Sequence, residues 1–190
     1  MLARLLHRLT PAARRRERAL RAAAEGLYAR AVAQARRPEF YLACRVPDTV
    51  DGRFDMVVLH VVLLVRRLAR EGAEGAALAQ HLFDTTLDDM DRSLREMGAG
   101  DLGVARRVKA MARAFYGRAR AYGAALDSCD RAALETALAR NLLGADGGAA
   151  RPAGAIAGYV VAAEDRLAAA DRKDVFGGAV AFPAPPESAE

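Results

Sequence analysis

Apolar positions recur along this chain with the period of an α-helix, segment after segment. Leu2, Leu5, Leu6 and Leu9 fall at i, i+3, i+4 and i+7, one face of a short helix. Thr10-Pro11 then interrupts, with Thr as cap and Pro at the first position of a second helix reaching about Ala35. Pro38 ends it, and residues 38–52, with Val46-Pro47-Asp48-Thr49 and Asp51-Gly52, read as a loop with two turns. Over residues 53–70, Val57, Val58, Val61, Val62, Leu64 and Val65 cover most of a helix circumference, which places that helix at the centre of the domain. Its β-branched content also suits a strand, but its length and the Arg66-Arg67-Leu68-Ala69-Arg70 ending favour helix.

Residues 76–97 form another helix, with Leu78, Leu82, Leu87, Leu94 and Met97 apolar. Gly98, Gly100 and Gly103 around Asp101 give its stop and the cap of the next. From residue 102 to about 126, Val104, Val108, Met111, Phe115 and Tyr122 trace a core-facing stripe. Asp127, Ser128 or Asp130 caps a further helix through Leu143, a flexible joint covers residues 144–148, and a last helix follows Pro152 to about Ala170. The pattern predicts an all-α protein, a single compact domain of about six or seven helices around the central hydrophobic helix at residues 53–70. Its parts are a basic amphipathic N-terminal segment (1–21), a helical body (22–175) and a mobile tail (176–190) containing Pro183, Pro185 and Pro186.

Composition sharpens this reading. Hydrophobic residues make up 53% of the 190, much of it Ala, which favours helix and close helix–helix approach, while aromatics reach only 6%. The net charge is +5, and Lys109 and Lys173 are the only lysines among 29 cations. GC-rich coding inflates Arg, Ala and Gly together, yet the excess charge still favours anionic partners such as lipid head groups or RNA. Met56 to Val65, the longest apolar run, spans about half of a bilayer's hydrocarbon core, too short for a transmembrane helix. No secretory signal is visible, because Arg4, His7 and Arg8 break the N-terminal apolar residues. Cys44 and Cys129 have no CxxC spacing and read as reduced thiols.

Candidate chemistry is sparse. Asp84, Asp88 and Asp91 lie at i, i+4 and i+7, with Asp89 beside them and His81 one turn before. Clustered helical carboxylates can hold Mg²⁺ or iron, which opens the reading of a metal-dependent enzyme acting on prenyl or phospholipid substrates. The spacing departs from both motifs, and a solvated stripe paired with Arg92, Arg95 or Arg107 accounts for it equally. His60 invites a general-base role, but no nucleophile is placed beside it, and a hydrogen-bonded buried histidine is the simpler reading. No catalytic residue, metal ligand set or cofactor motif is expected. Arg106, Lys109, Arg113 and Arg120 give one basic face of the 102–126 helix, extended by Arg107 and Arg118. They are the candidate partner-binding residues, for an acidic protein, lipid or a ribosome- or RNA-binding adaptor role, although aromatics do not interleave with the charges as a stacking platform requires.

Three stretches resemble the ubiquinol–cytochrome c chaperone family. They are Leu27-Tyr28 through Gln34-Ala35-Arg36 to Phe40-Tyr41; Val46-Pro47-Asp48-Thr49 with Gly52-Arg53-Phe54-Asp55 and Leu59-His60; and Leu82-Phe83-Asp84 through Asp89-Met90-Asp91 and Leu94-Arg95-Glu96-Met97-Gly98. The last continues through Gly100-Asp101-Leu102 and Val108-Lys109 to Phe115-Tyr116-Gly117-Arg118, so the likeness covers most of residues 27–143. The resemblance implies a bacterial, non-enzymatic assembly factor for respiratory complex III, without a cofactor of its own. Its implied client is nascent or newly inserted cytochrome b, with the ribosome as a further partner. It also implies a cytoplasmic location, in peripheral contact with the cytoplasmic face of the inner membrane. Leu2, Leu5, Leu6 and Leu9, followed by Arg14, Arg15, Arg16 and Arg18, supply a candidate membrane-surface segment for that contact.

Overall fold

The computed structural model of the chain describes residues 10–98, 100–144 and 150–187. The expected helix at Leu2, Leu5, Leu6 and Leu9 lies outside them. Eight α-helices are present among the described residues, and no strand. Helix α1 spans Pro11–Ala35, where the Thr10 side chain accepts a hydrogen bond from the Ala13 amide at 3.1 Å and Pro11 occupies the first turn. A single turn, α2 (Glu39–Leu42), follows Pro38. Helix α3 (Val50–Ala69) is capped by Thr49, whose hydroxyl accepts from the Gly52 amide at 3.1 Å. Gly52 has no alternative there, since a Cβ would sit 2.0 Å from the Pro47 carbonyl oxygen.

Helix α4 (Gly72–Glu96) turns back from α3, and α5 (Asp101–Asp127) follows Gly98, whose φ of +82° stops α4. The cap of α5 is Gly100, not Asp101. Asp101 stands in the first turn, where its charge complements the helix dipole. Helix α6 (Arg131–Leu138), capped by Asp130, runs into a π-helical turn (Ala139–Leu143), so the expected helix through Leu143 changes hydrogen-bonding pattern in its last turn. Helix α7 (Ala150–Ala168) and the short α8 (Arg172–Phe176) complete the fold.

Central α3 is buried on nearly every side, packed by α1, α4, α5 and α7. That burial overrides the β-branched character of its valines, because each residue gains more from leaving water than its helix propensity costs. The buried face of α1 is mostly Ala (Ala23, Ala24, Ala31, Ala35), which brings its backbone close to α3 and α4. A boundary was expected after residue 21, yet α1 is continuous there, with Leu20 already buried.

The C-terminal segment, expected to be mobile, is docked. Val180 and Pro185 are buried, and the Phe182 ring meets His60 edge-on at 4.9 Å. The Pro183 carbonyl accepts a hydrogen bond from the Gln34 amide at 2.9 Å. Gly178, at φ +72°, lies against Gly26 of α1, where a Cβ on Gly178 would approach the Ala23 carbonyl oxygen to 2.9 Å. The apolar side chains between the prolines, not the prolines, decide where this segment goes.

Candidate functional site: an apolar groove among four helices

Tyr28 and Val32 of α1, Val50, Phe54 and Val57 of α3, the last two turns of α4 and Met111 of α5 surround a groove of about 360 Å³. Three of the chain's five methionines, Met90, Met97 and Met111, face it. Val50 and Met97 remain 56% and 52% exposed, unusual for side chains of that size. Local structure explains the placement: the Thr49 cap starts α3 so that Val50 stands in its first turn, and Met97 caps the C-terminus of α4, one residue past its end. Behind the groove the Tyr28 hydroxyl donates to Asp89 Oδ2 at 2.8 Å, tying α1 to α4. Burial, with the Asp89 carboxylate second, raises the Tyr28 pKa well above the usual phenol range, so Tyr28 stays a neutral donor.

The α4 aspartates, read from the sequence as either a metal cluster or a solvated stripe paired with arginines, are engaged separately. Asp84 accepts from Gln80 at 2.8 Å, Asp89 from Tyr28, and Asp91 from Arg95 at 2.6 Å; Asp88 is exposed. Of the expected pairings only that with Arg95 forms. His81 turns to Glu17 at 3.4 Å. Among the described residues no three His, Cys, Asp or Glu side chains converge as a metal site.

His60 is completely buried in α3. Its Nδ1 is 2.7 Å from the Met56 carbonyl and its Nε2 2.7 Å from the Tyr159 hydroxyl, so a neutral ring donates at Nδ1 and accepts at Nε2. Tyr159 in turn accepts from Gln34 at 3.0 Å. Desolvation pushes the His60 pKa down to about 4, with the Met56 bond opposing weakly. This ring ties α1, α3, α7 and the C-terminal segment together.

Arg106, Lys109, Arg113 and Arg120 are exposed along the outer side of α5 and make no ion pair among the described residues. Tyr116, 60% exposed, falls in the same line, so an aromatic does interleave with these charges. Arg118, expected on that face, points inward to Asp55 at 2.7 Å. Burial, ahead of the opposing Arg118 charge, raises the Asp55 pKa to about 6. Around this pair the Tyr122 hydroxyl, Asn141 Nδ2 and Arg118 Nε are buried with no hydrogen-bond partner among the described residues, a cluster that sequence reasoning missed. The one advance signal was Asp55 preceding an apolar run broken only by His60. Of the candidate membrane-surface arginines, Arg14, Arg15, Arg16 and Arg18 are exposed on the first turns of α1, and Arg16 pairs with Glu74 at 3.3 Å. Cys44 is buried, its thiol pushed up to about 11 by burial, and Cys129 is exposed; both are free. Among the described residues no helix is long and apolar enough to cross a membrane.

Fold and groove thus define a helical protein with an apolar, methionine-lined groove open on its surface among the described residues. A profile of the family described as "Ubiquinol-cytochrome C chaperone" matches residues 42–182. The chain belongs to that family, as the motif order led us to expect. It is similar to ubiquinol-cytochrome-c reductase complex assembly factor 1 of Xenopus laevis, 30% identical over 105 residues covering 55% of this chain and 52% of the frog protein. The mouse counterpart is 27% identical over 97 residues, 51% of this chain and 33% of its own. The matched region thus spans about half the length of the frog protein and a third of the mouse one. The crystal structure of the Cbp3 homolog from Brucella abortus matches over 100% of both chains, with a TM-score of 0.81 and 36% identity.

Proposed function

We propose that this chain is a non-enzymatic assembly factor of respiratory complex III whose client is newly made cytochrome b. The observation that carries the reading is the family match over residues 42–182, which takes in the α3, α4 and α5 walls of the groove. A factor that handles a membrane-protein client needs a surface that accepts varied apolar side chains, and unbranched, polarizable methionines adapt to such variety. The non-enzymatic part of the reading is supported by the burial of His60 and by Asp84, Asp89 and Asp91 each bonding to a different neighbour. Deleting the gene should lower assembled cytochrome b and its haem absorbance in membranes, with rescue by the full chain. Normal complex III in the deletion strain would overturn the reading.

A second reading is favoured by Tyr116 lying in line with Arg106, Lys109, Arg113 and Arg120: this face docks to ribosomal RNA. Binding to RNA that falls steeply with salt, and weakens in Tyr116→Ala, is the expected result. Binding that ignores both salt and Tyr116 would remove it.

A further inference from the structure

We infer that the methionine-lined groove receives one face of a single amphipathic helix of the client, its apolar stripe bordered by a carboxylate on one side and a basic side chain on the other. This rests on the chaperone reading above and specifies its contact. Among the described residues the exposed large apolar side chains are Leu42, Val50, Met97, Tyr116 and Val161. Val50 and Met97 line the groove, and Leu42, 80% exposed, lines an adjoining hollow that shares Arg36 and Arg53 with it. Exposed apolar surface is therefore concentrated where α1, α3 and α4 meet.

Size selects the occupant. A cavity of ~150 Å³ admits benzene, so about 360 Å³ accommodates two or three large side chains. A helix presents that many on one face at i, i+3 or i+4, and i+7. A transmembrane helix, apolar all round, would leave most of its circumference in water, whereas an amphipathic helix keeps its polar side there.

Charge selects its borders. Arg36 caps α1, lines the groove and is exposed, making no ion pair among the described residues. Glu96, the last residue of α4, is exposed and equally without an ionic partner. Arg53 by contrast is held by Asp48. Two uncompensated charges of opposite sign thus stand on the α1 and α4 walls of one groove. A helix with a carboxylate bordering one side of its apolar stripe and a lysine or arginine bordering the other satisfies both at once.

The test uses the full chain and three fluorescent, alanine-based helical peptides of about 18 residues with leucines at i, i+3 and i+7. One has glutamates along one border and lysines along the other; the controls have all-lysine or all-glutamate borders. By anisotropy the native chain should bind the mixed-border peptide about tenfold tighter than either control. Arg36→Glu should shift the preference to the all-lysine peptide. Val50→Lys and Met97→Lys, both at exposed positions and so compatible with folding, should each weaken binding at least about tenfold. Equal binding by these lysine variants, or a border preference unmoved by Arg36→Glu, would overturn the inference. In a deletion strain with defective complex III, rescue by the Val50→Lys, Met97→Lys double variant would overturn the groove assignment alone. A deletion strain without any defect would instead overturn the chaperone reading.

Discussion

Replacing Tyr159 by Phe removes one oxygen from the middle of the molecule, and the structure fixes what that oxygen does. The hydroxyl donates to His60 Nε2 at 2.7 Å and accepts from the Gln34 amide at 3.0 Å. Gln34 keeps its second acceptor, the Pro183 carbonyl, and the ring keeps its edge contact with Phe40 at 4.9 Å. His60 Nε2 keeps nothing, because Nδ1 already faces the Met56 carbonyl and the residue is fully buried. A buried acceptor left without a donor costs about 1–3 kcal/mol. Taking about 2 kcal/mol, the midpoint of thermal unfolding of a chain this long should drop by roughly 4–8 °C. Urea unfolding followed by circular dichroism, with the slope unchanged, would give the free energy directly. The decisive comparison is a cycle with His60→Leu, because there the hydroxyl has already lost its acceptor and Tyr159→Phe should be close to neutral. A cost below about 0.5 kcal/mol in the native background, or the same cost in both, would refute the network as described.

Three further results are expected. The His60 pKa, lowered from 6.5 to about 4, contributes stability that is fully present above pH 6.5 and lost as pH falls toward 4, on the order of 3 kcal/mol. The Asp55 pKa, raised from 3.8 to about 6, acts in the opposite sense, so Asp55→Asn should make the acid-side loss of stability steeper than in the native chain, and parallel urea titrations between those pH values would contradict this. Gly178→Ala should release the C-terminal segment, because a Cβ at φ +72° costs about 1–2 kcal/mol before its approach to the Ala23 carbonyl is counted; faster limited proteolysis beyond residue 177 is the readout, and unchanged cleavage would mean the docking does not depend on that close approach.

What the sequence disclosed, and what it withheld, follows the range of the interactions. Helix α3 was legible because its valines and leucines cover most of its circumference, and the caps at Thr10 and at Asp130, one of three candidates, were legible because capping is settled within four residues; the start of α3 at Val50 under Thr49, inside the expected loop at 38–52, was not. Helices α2 and α8, of 4 and 5 residues, are too short for periodicity to register. Arg118 was counted with the outer basic face by its charge, yet its partner Asp55 lies on another helix, 63 positions away by number. The C-terminal segment was read from its prolines, although Val180 and Phe182 find their places only against α1 and α3. Likewise the groove is made by residues from Tyr28 to Met111 on four helices, and Met90 and Met97, seven apart, were its single local trace. Its chemistry is that of shape and apolar contact, which leaves no motif.

As proposed, this chain would hold cytochrome b before complex III is complete. Affinity capture of the full chain from detergent-solubilised membranes, with mass-spectrometric quantitation of every complex III subunit in the eluate, tests it most directly. Cytochrome b should be in clear excess over the other subunits, and that excess should be lost in the Val50→Lys, Met97→Lys variant. Cytochrome b absent from the eluate, or present only in the proportions of the finished complex, would contradict it.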